Sequence, residues 1–261
     1  MIMLDNGKVV LVTGGGSGIG AATANLLSKS GYRVAVMGRR SHEIEKVAAE
    51  VGGIAVTADA ANSESVRKAI STIVEHYGSL DAVIHCAGTY DGGGVLDFSD
   101  QQWQRIVDIN LTTAFVTSRE ALPSLIKSKG AIVIISSSAG IEAIPESVGY
   151  VTTKHALIGL GRSMALDYGP QGVRVNVICP GWTKTEMADH EMVSLMDQHN
   201  ISLDEAYSLI TSDVPLRRAG NPDEIARVCK FLVEDSSALI TGAVIPVDGG
   251  CSIVCAAATK M

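Results

Sequence analysis

The sequence lacks any apolar run long enough to cross a membrane. Its longest runs, such as those at 9–12 and 131–135, have the length of a β-strand, whereas a membrane-spanning helix needs about 20 residues. The N-terminus also lacks a basic segment followed by a long apolar stretch, so it shows no export signal. These absences predict a cytoplasmic protein without a membrane partner.

A surplus of basic residues is missing as well. The 261 residues include 21 Lys and Arg against 28 Asp and Glu, which gives a formal net charge of −7. We therefore expect no nucleic-acid partner. Apolar residues make up 46% of the chain and charged residues 19%, which is typical of a well-packed globular protein rather than a disordered chain.

The cysteines lack the paired spacing of a metal site. They are scattered along the chain as Cys86, Cys179, Cys229, Cys251 and Cys255. Cys251 and Cys255 are close enough in sequence to suggest a redox pair or metal ligands, but no histidine or further cysteine lies nearby. We predict reduced, mostly buried thiols and no metal site.

Short apolar runs alternate with amphipathic segments of helical length almost from end to end. The apolar runs predict strands at Lys8–Val12, Arg33–Met37, Ile54–Ala58, Ala82–His85, Ala131–Ile135, Arg174–Ile178 and Val244–Val247. The intervening segments predict helices at Gly18–Lys29, His42–Val51, Ser63–Tyr77, Asp100–Leu122, Val148–Tyr168 and Pro222–Val233. Strands without polar alternation indicate a parallel sheet covered on both faces. The order predicts an α/β doubly wound Rossmann fold, a single domain over 1–261 with one seven-stranded parallel sheet flanked by helices.

Residues 186–213 interrupt this alternation and predict a small helical lid over a pocket. The stretch Ser202–Glu205 has the form of a capping box, which predicts the start of a helix. Apolar residues spaced by three and four predict one apolar face on that helix: Leu203, Ala206, Leu209 and Ile210.

The same segment holds seven acidic residues and neither lysine nor arginine. Its charge would repel anions, which favours a neutral or cationic small-molecule substrate over a carrier-protein or coenzyme A thioester. The alternative is that these acids only face solvent. Met187, Met192 and Met196 could likewise form an adaptable pocket wall or fill the core of the lid itself.

Tyr150 and Lys154 stand four residues apart on a predicted helix, so their side chains share one face. A free tyrosine has a pKa near 10, too high for a base at neutral pH. At about 5 Å and an effective dielectric constant of about 20, the lysine charge would favour the phenolate by roughly 3 kcal/mol. The pair therefore indicates proton transfer by a phenol, unless it is an ordinary surface pair.

A glycine-rich turn, Thr13–Gly20, follows the first predicted strand and opens the first predicted helix. Glycines allow a sharp turn and a close approach to a pyrophosphate, and the helix N-terminus offers unpaired N–H groups to its charge. In this context Gly14, Gly18 and Gly20 predict a dinucleotide site.

The end of the second predicted strand carries Arg39 and Arg40 and no acid before Glu43. A carboxylate at this position usually binds the ribose 2′-hydroxyl, whereas two guanidinium groups can hold a 2′-phosphate. We therefore predict NADP(H) as the preferred cofactor, with NAD(H) possible because Ser17 is not basic. The alternative is that both arginines are solvated residues at a helix start.

These motifs together resemble the classical short-chain dehydrogenase/reductase family over nearly the whole chain. Thr13–Gly20 is similar to the family's T-G-x-x-x-G-x-G turn, and His85–Gly88 stands in the place of its N-N-A-G strand end. Further segments resemble the family's motifs in the same order: Asn110, Ser137, Tyr150 with Lys154, Pro180-Gly181 with Thr185, Thr241-Gly242 and Asp248–Gly250.

The resemblance implies a catalytic tetrad. Tyr150 would be the general acid or base, and Lys154 would lower its pKa and hold the nicotinamide ribose. Ser137 would bind the substrate oxygen, and Asn110 would position a water in a proton relay. Among three consecutive serines the spacing to Tyr150 favours Ser137. The resemblance also places Ser138 and Trp182 beside the substrate.

The resemblance implies the following cofactor-binding residues: Thr13, Gly14, Ser17, Gly18, Ile19, Gly20, Arg39, Arg40, Asp59, Ala60, Cys86, Ala87, Gly88, Asn110, Tyr150, Lys154, Pro180, Gly181, Thr183 and Thr185. Asp59 would bind the adenine amino group, although a loop or helix-cap role is the alternative. His85 and Cys86 depart from the family's two asparagines. We interpret His85 as an interior side chain rather than a catalyst.

The resemblance further implies an oxidoreductase that transfers hydride between NADP(H) or NAD(H) and a secondary alcohol or ketone, and it predicts a homotetramer. The alternative from another class is a nucleotide-sensing or scaffold protein that has kept the fold without the chemistry. Retention of the whole tetrad argues against that alternative. An epimerase or dehydratase would need a larger substrate domain than this chain provides after Gly250.

Overall fold

The computed structural model describes residues 7–254 of the chain. Within them a seven-stranded sheet has the order β3-β2-β1-β4-β5-β6-β7, and each neighbouring pair is parallel. The strands are β1 (Val9–Thr13), β2 (Arg33–Gly38), β3 (Ile54–Thr57), β4 (Ala82–His85), β5 (Ala131–Ile135), β6 (Arg174–Pro180) and β7 (Val244–Val247). The predicted doubly wound Rossmann fold is confirmed, and the predicted strands agree with these to within two residues.

Helices connect the strands and cover both faces of the sheet. They are α1 (Gly18–Lys29), α2 (Ser41–Val51), α3 (Ser63–Tyr77), α4 (Asp100–Val107), α5 (Thr113–Ser128), α6 (Val148–Tyr168), α7 (Glu186–His199), α8 (Leu203–Ile210) and α9 (Pro222–Val233). Among the described residues, no helix has both the length and the apolarity that a membrane span requires.

The hydrophobic core forms one layer on each face of the sheet. Val9 and Leu11 of β1 pack with α3, α5 and α6, while Val10 and Val12 pack with α1, α2 and α9. All four side chains are fully buried. Burial on both faces explains why the strands show no polar alternation.

The predicted helix over 100–122 is wrong in two respects. A π-helical turn over 108–112 separates α4 from α5, and α5 continues past Pro123 to Ser128. Pro123 is exposed, so the backbone carbonyl that loses its helical hydrogen bond can be satisfied by solvent.

Residues 186–213 form two helices with a small apolar core. The capping box at Ser202 and Glu205 is confirmed at the start of α8, whereas α7 was not predicted. The core contains Ala188, Met192, Ala206 and Tyr207. The expected apolar face of α8 is wrong at its end, because Leu209 and Ile210 are exposed.

Candidate active site

A cleft of about 1050 Å³ lies at the carboxyl ends of the strands. In this fold the crevice forms where the strand order reverses, here between β1 and β4. The cleft is lined by every residue predicted to bind cofactor or substrate except Asn110. The sequence motifs therefore come together in one cavity.

The glycine turn has the backbone geometry that a dinucleotide requires. Gly14 and Gly18 have φ values of 62° and 51°, a region that favours glycine. A Cβ on Gly14 would lie 2.7 Å from the Ala87 nitrogen, and a Cβ on Gly20 would lie 2.2 Å from the Gly14 oxygen. The side chain of Ser17 does not cap α1, so the first N–H groups of the helix can bind an anion in the cleft.

Arg39 and Arg40 follow β2, and both side chains are exposed at the edge of the cleft. Nη2 of Arg40 lies 3.5 Å from Oγ of Ser17 in the glycine turn. Glu43 also lines this end of the cleft. The carboxylate of Asp59 accepts a hydrogen bond from the Ala61 N–H at 3.0 Å, and this contact fits the predicted adenine site and the loop role equally.

Tyr150 lies in the first turn of α6, with Lys154 one turn further along. The Lys154 ammonium is 5.4 Å from the centroid of the Tyr150 ring. Lys154 is buried and also donates a hydrogen bond to the Ile135 carbonyl at 3.3 Å. Both side chains line the cleft.

The pKa of Tyr150 does not follow the sequence-based expectation. Burial raises it to about 12, and hydrogen bonding with Ser137 opposes this shift. Burial also lowers the pKa of Lys154 to about 8. The sequence argument considered only the lysine charge, whereas in the folded chain the cost of removing the phenolate from water is larger.

Three consecutive serines have different partners. Ser136 is buried and donates to the Lys154 carbonyl at 2.8 Å. Ser137 contacts the Tyr150 phenol and accepts a hydrogen bond from the Ala139 N–H at 3.2 Å. Ser138 also lines the cleft, but the serine next to the phenol is Ser137. This arrangement agrees with the predicted register.

Asn110 lies behind the cleft wall, in the π-helical turn. Its amide oxygen accepts from the Thr89 N–H at 2.7 Å, and its nitrogen donates to the Thr89 carbonyl at 3.0 Å and to the Thr153 hydroxyl at 3.1 Å. These bonds tie the loop after β4 to α6. Such π-bulges are frequent at functional sites.

His85 is an interior side chain, as predicted. Its ring nitrogens lie 2.8 Å from the Thr13 hydroxyl and 3.2 Å from the Thr113 hydroxyl. Burial, with a smaller contribution from Lys154, lowers its pKa to about 3. Cys86 lines the cleft, and burial raises the pKa of its thiol.

Neutral burial of His85 predicts a measurable acid sensitivity. In an unfolded chain histidine has a pKa near 6.5, so acid protonates the unfolded state first and the stabilising contribution falls below that pH. We expect about 3 kcal/mol of the free energy of unfolding to be lost between pH 7 and pH 4 through this group. Denaturant unfolding of His85→Asn should show a shallower pH dependence.

The matched control for this prediction is His155→Asn, which removes an exposed histidine of α6. It should keep the steep pH dependence of the unmodified protein. If the free energy of unfolding of His85→Asn depended on pH as steeply as that of the unmodified chain, the assignment of a buried, neutral ring would be contradicted.

Three cleft residues have no counterpart in the sequence motifs. The Tyr90 ring meets the Tyr150 ring edge-on at 5.2 Å, and its hydroxyl lies 3.1 Å from that of Ser147. Burial raises the pKa of Glu142, and it raises that of Glu191 in α7 to about 7. In the sequence, the acidic composition of residues 186–213 pointed to the region of Glu191, and nothing indicated Tyr90 or Glu142.

No cluster of three or more His, Cys, Asp or Glu suited to a metal ion occurs within residues 7–254. Cys251 is partly buried, and Cys255 lies outside the described residues. The suggested Cys251–Cys255 pair therefore remains untested.

Similarity to known proteins extends over almost the entire chain. Residues 14–252 match the family model described as enoyl-(acyl carrier protein) reductase. Protein MoaE of Klebsiella aerogenes is 44% identical over 251 residues, covering 95% of this chain and 96% of that protein. Meso-2,3-butanediol dehydrogenase of Serratia marcescens is 35% identical, and the match covers 93% of this chain and 94% of that protein. The solved structure of an actinorhodin polyketide ketoreductase variant with NADPH is 30% identical in sequence. The match covers 97% of this chain and 100% of that chain, with a TM-score of 0.90.

Proposed function

The chain belongs to the classical short-chain dehydrogenase/reductase family, and on this premise we propose reversible hydride transfer between a nicotinamide dinucleotide and a secondary alcohol or ketone. The observation that carries the proposal is one continuous cleft. It holds the Tyr150 phenol, the Ser137 hydroxyl and the Lys154 ammonium together with the glycine turn. Relatives of the chain include an alcohol dehydrogenase and a ketoreductase, as their names state.

The bound nucleotide would supply or accept the hydride. In our proposal the hydroxyls of Ser137 and Tyr150 hold the substrate oxygen and stabilise the negative charge that develops on it. Tyr150 gives its proton to that oxygen when a ketone is reduced and takes one up when an alcohol is oxidised. A phenol with a pKa of about 12 is well suited to remain protonated until the charge develops.

Two further residues, Lys154 and Asn110, support this proton transfer. The Lys154 ammonium lies on the nucleotide side of the phenol, where it can hold the ribose hydroxyls and favour the ionised ring. Asn110 ties Thr89 to α6 and so fixes the wall against which the ribose would lie. Thr185, the N-cap residue of α7 just before the proposed lid, lies against the glycine turn, since a Cβ added to Gly18 would lie 3.2 Å from Cγ2 of Thr185.

The test is turnover by the purified protein with NADPH or NADH and a panel of ketones and secondary alcohols. We expect nucleotide oxidation or reduction that depends on the added carbonyl or alcohol. Tight nucleotide binding without turnover of any substrate would instead support the sensor or scaffold alternative.

We further propose that NADP(H) is preferred over NAD(H), because Arg39 and Arg40 flank the glycine turn. Hydrogen bonds to charged groups contribute about 1.5–3 kcal/mol each. The double variant Arg39→Ala/Arg40→Ala should therefore lower kcat/KM for NADPH by about a hundredfold or more. The value for NADH should change little, which steady-state kinetics with both nucleotides can measure.

Arg162→Ala provides the control, since Arg162 is an exposed arginine of α6 outside the cleft. It changes the net charge by one unit without touching the nucleotide site, so both kcat/KM values should stay the same. A clear NADH preference in the unmodified enzyme would refute the NADP(H) assignment.

A further inference from the structure

Glu191 differs from the other acids of residues 186–213 because it is partly buried without a partner in the described part of the chain. Glu186 and Asp197 also lack a partner among the described residues, but both are exposed. The neighbouring carboxylate of Asp189 accepts a hydrogen bond from the Tyr207 phenol at 2.7 Å. Asp204 forms an ion pair with Lys184 at 2.8 Å. Glu191, by contrast, makes no hydrogen bond or ion pair with any residue in 7–254, although it is partly buried and lines the cleft.

Glu191 lines the same cleft as Tyr150, the proposed proton donor and acceptor. Its charge is close enough to Tyr150 to raise the pKa of that phenol. The Tyr90 ring lies edge-on against the same phenol and adds an aromatic surface of the kind that attracts cations. Glu142, a second acid, also lines the cleft.

The lysine and arginine side chains that line the cleft are engaged elsewhere. Arg39 and Arg40 stand at the nucleotide end, and Arg105 forms an ion pair with Asp91. Lys154 donates a hydrogen bond to the Ile135 carbonyl, and His190 is the other basic residue of the lining. The negative charge around the substrate position is therefore not balanced by the described chain, so a bound cation would supply the missing partner.

We infer that Glu191 selects the substrate by pairing with a protonated amine next to the reacting carbon, so that the preferred substrates are small amino alcohols and amino ketones. This inference rests on the proposed dehydrogenase activity and names the substrate class of the same site. It goes beyond the sequence-based expectation, which left neutral and cationic molecules equally open.

Such a pairing would link substrate recognition to proton transfer. The charge of Glu191 acts on the pKa of Tyr150 of α6 and of Tyr207 of α8, and Asp189 and His190 are its neighbours on α7. A substrate ammonium placed between Glu191 and the phenol would cancel the effect of the carboxylate on the phenol. A cationic substrate would then ease the ionisation of Tyr150, whereas a neutral substrate of the same shape would not.

The test compares each amino ketone with its uncharged isostere. Suitable pairs are aminoacetone with butanone, and aminoacetophenone with propiophenone, each assayed with saturating nucleotide. We expect kcat/KM to be higher for the amino ketone by about tenfold or more, a difference of about 1.4 kcal/mol. This preference should grow as pH rises through the region near 7, where Glu191 ionises.

Glu191→Gln should remove the preference. Its kcat/KM for the amino ketones should fall by about tenfold relative to the values for the uncharged isosteres. Asp197→Asn is the matched control, because Asp197 is an exposed acid of the same helix that does not line the cleft. Asp197→Asn changes the net charge by the same amount as Glu191→Gln and should keep the preference for amino ketones.

The outcomes separate this inference from the proposed function. Equal loss for charged and neutral ketones in Glu191→Gln, or a preference of the unmodified enzyme for the neutral isosteres, would overturn the inference and leave the dehydrogenase activity in place. If no ketone or alcohol of any charge is turned over, the proposed function fails and this inference fails with it.

Discussion

Replacing Tyr150 with phenylalanine is expected to lower kcat by about three orders of magnitude, since general acid–base catalysis contributes about 10²–10⁴ in rate. The change removes one oxygen and leaves the ring. The ring contact with Tyr90 and the packing of α6 can therefore persist. Nucleotide affinity should stay within about twofold, because the glycine turn and Lys154 are untouched.

The measurement combines steady-state kinetics with a fluorescence titration of the nucleotide. Tyr90→Phe is the matched control, since it removes a phenol oxygen from the same cleft wall and breaks only a contact with Ser147. We expect a much smaller loss of kcat from that control. Near-normal turnover by Tyr150→Phe would refute its role as the proton donor and acceptor.

The Rossmann fold could be predicted almost completely, because burial on both faces gives its strands a simple sequence pattern. Apolar residues fill β1 and β5 except for Thr13, which stands at the end of β1. The errors occur where side-chain hydrogen bonds override that pattern. Asn110 belongs to a π-helical turn that no periodicity indicates, and α7 has too weak an apolar stripe to stand out in the sequence.

The arrangement of the cleft was predictable for a different reason. Spacing of four residues on a helix fixes Tyr150 relative to Lys154, and a glycine turn after β1 has few alternative geometries. Electrostatics was less predictable. The pKa of Tyr150 depends on how many protein atoms replace water around it, and the sequence does not give that number.

The substrate end of the cleft was the least predictable part. Tyr90 and Glu191 come from a loop and from the unpredicted helix α7, and they meet Tyr150 only in the folded chain. The acid content of residues 186–213 suggested a cation without showing which acid would contact it. Asp189 and Asp204 have partners, and Glu186 and Asp197 are exposed. Glu191 stands out only in the folded chain, because it is partly buried without a partner among the described residues.

Replacing Gly20 with alanine should have the second large effect, on nucleotide binding. The added Cβ would lie 2.2 Å from the Gly14 carbonyl oxygen and 3.0 Å from the Gly15 Cα. Both are backbone atoms, so the turn itself must move. Overpacking of this kind costs about 1–3 kcal/mol, and displacement of the N–H groups that would face the pyrophosphate adds to the loss. We expect the nucleotide Kd to rise by about a hundredfold.

Two controls make this prediction specific to the turn. Gly16→Ala lies in the same turn, but its Cβ would lie 3.0 Å from Cβ of Glu43 in α2 rather than 2.2 Å from a backbone atom of the turn, so a loss of less than about tenfold is expected. Gly159→Ala is in the interior of α6 with no atom within 4 Å, and alanine there should raise stability without changing Kd. Equal affinity for Gly20→Ala and Gly159→Ala, measured by titration, would show that this turn does not bind the pyrophosphate. A lowered Tm without nucleotide would show how much of any loss reflects the strained turn itself.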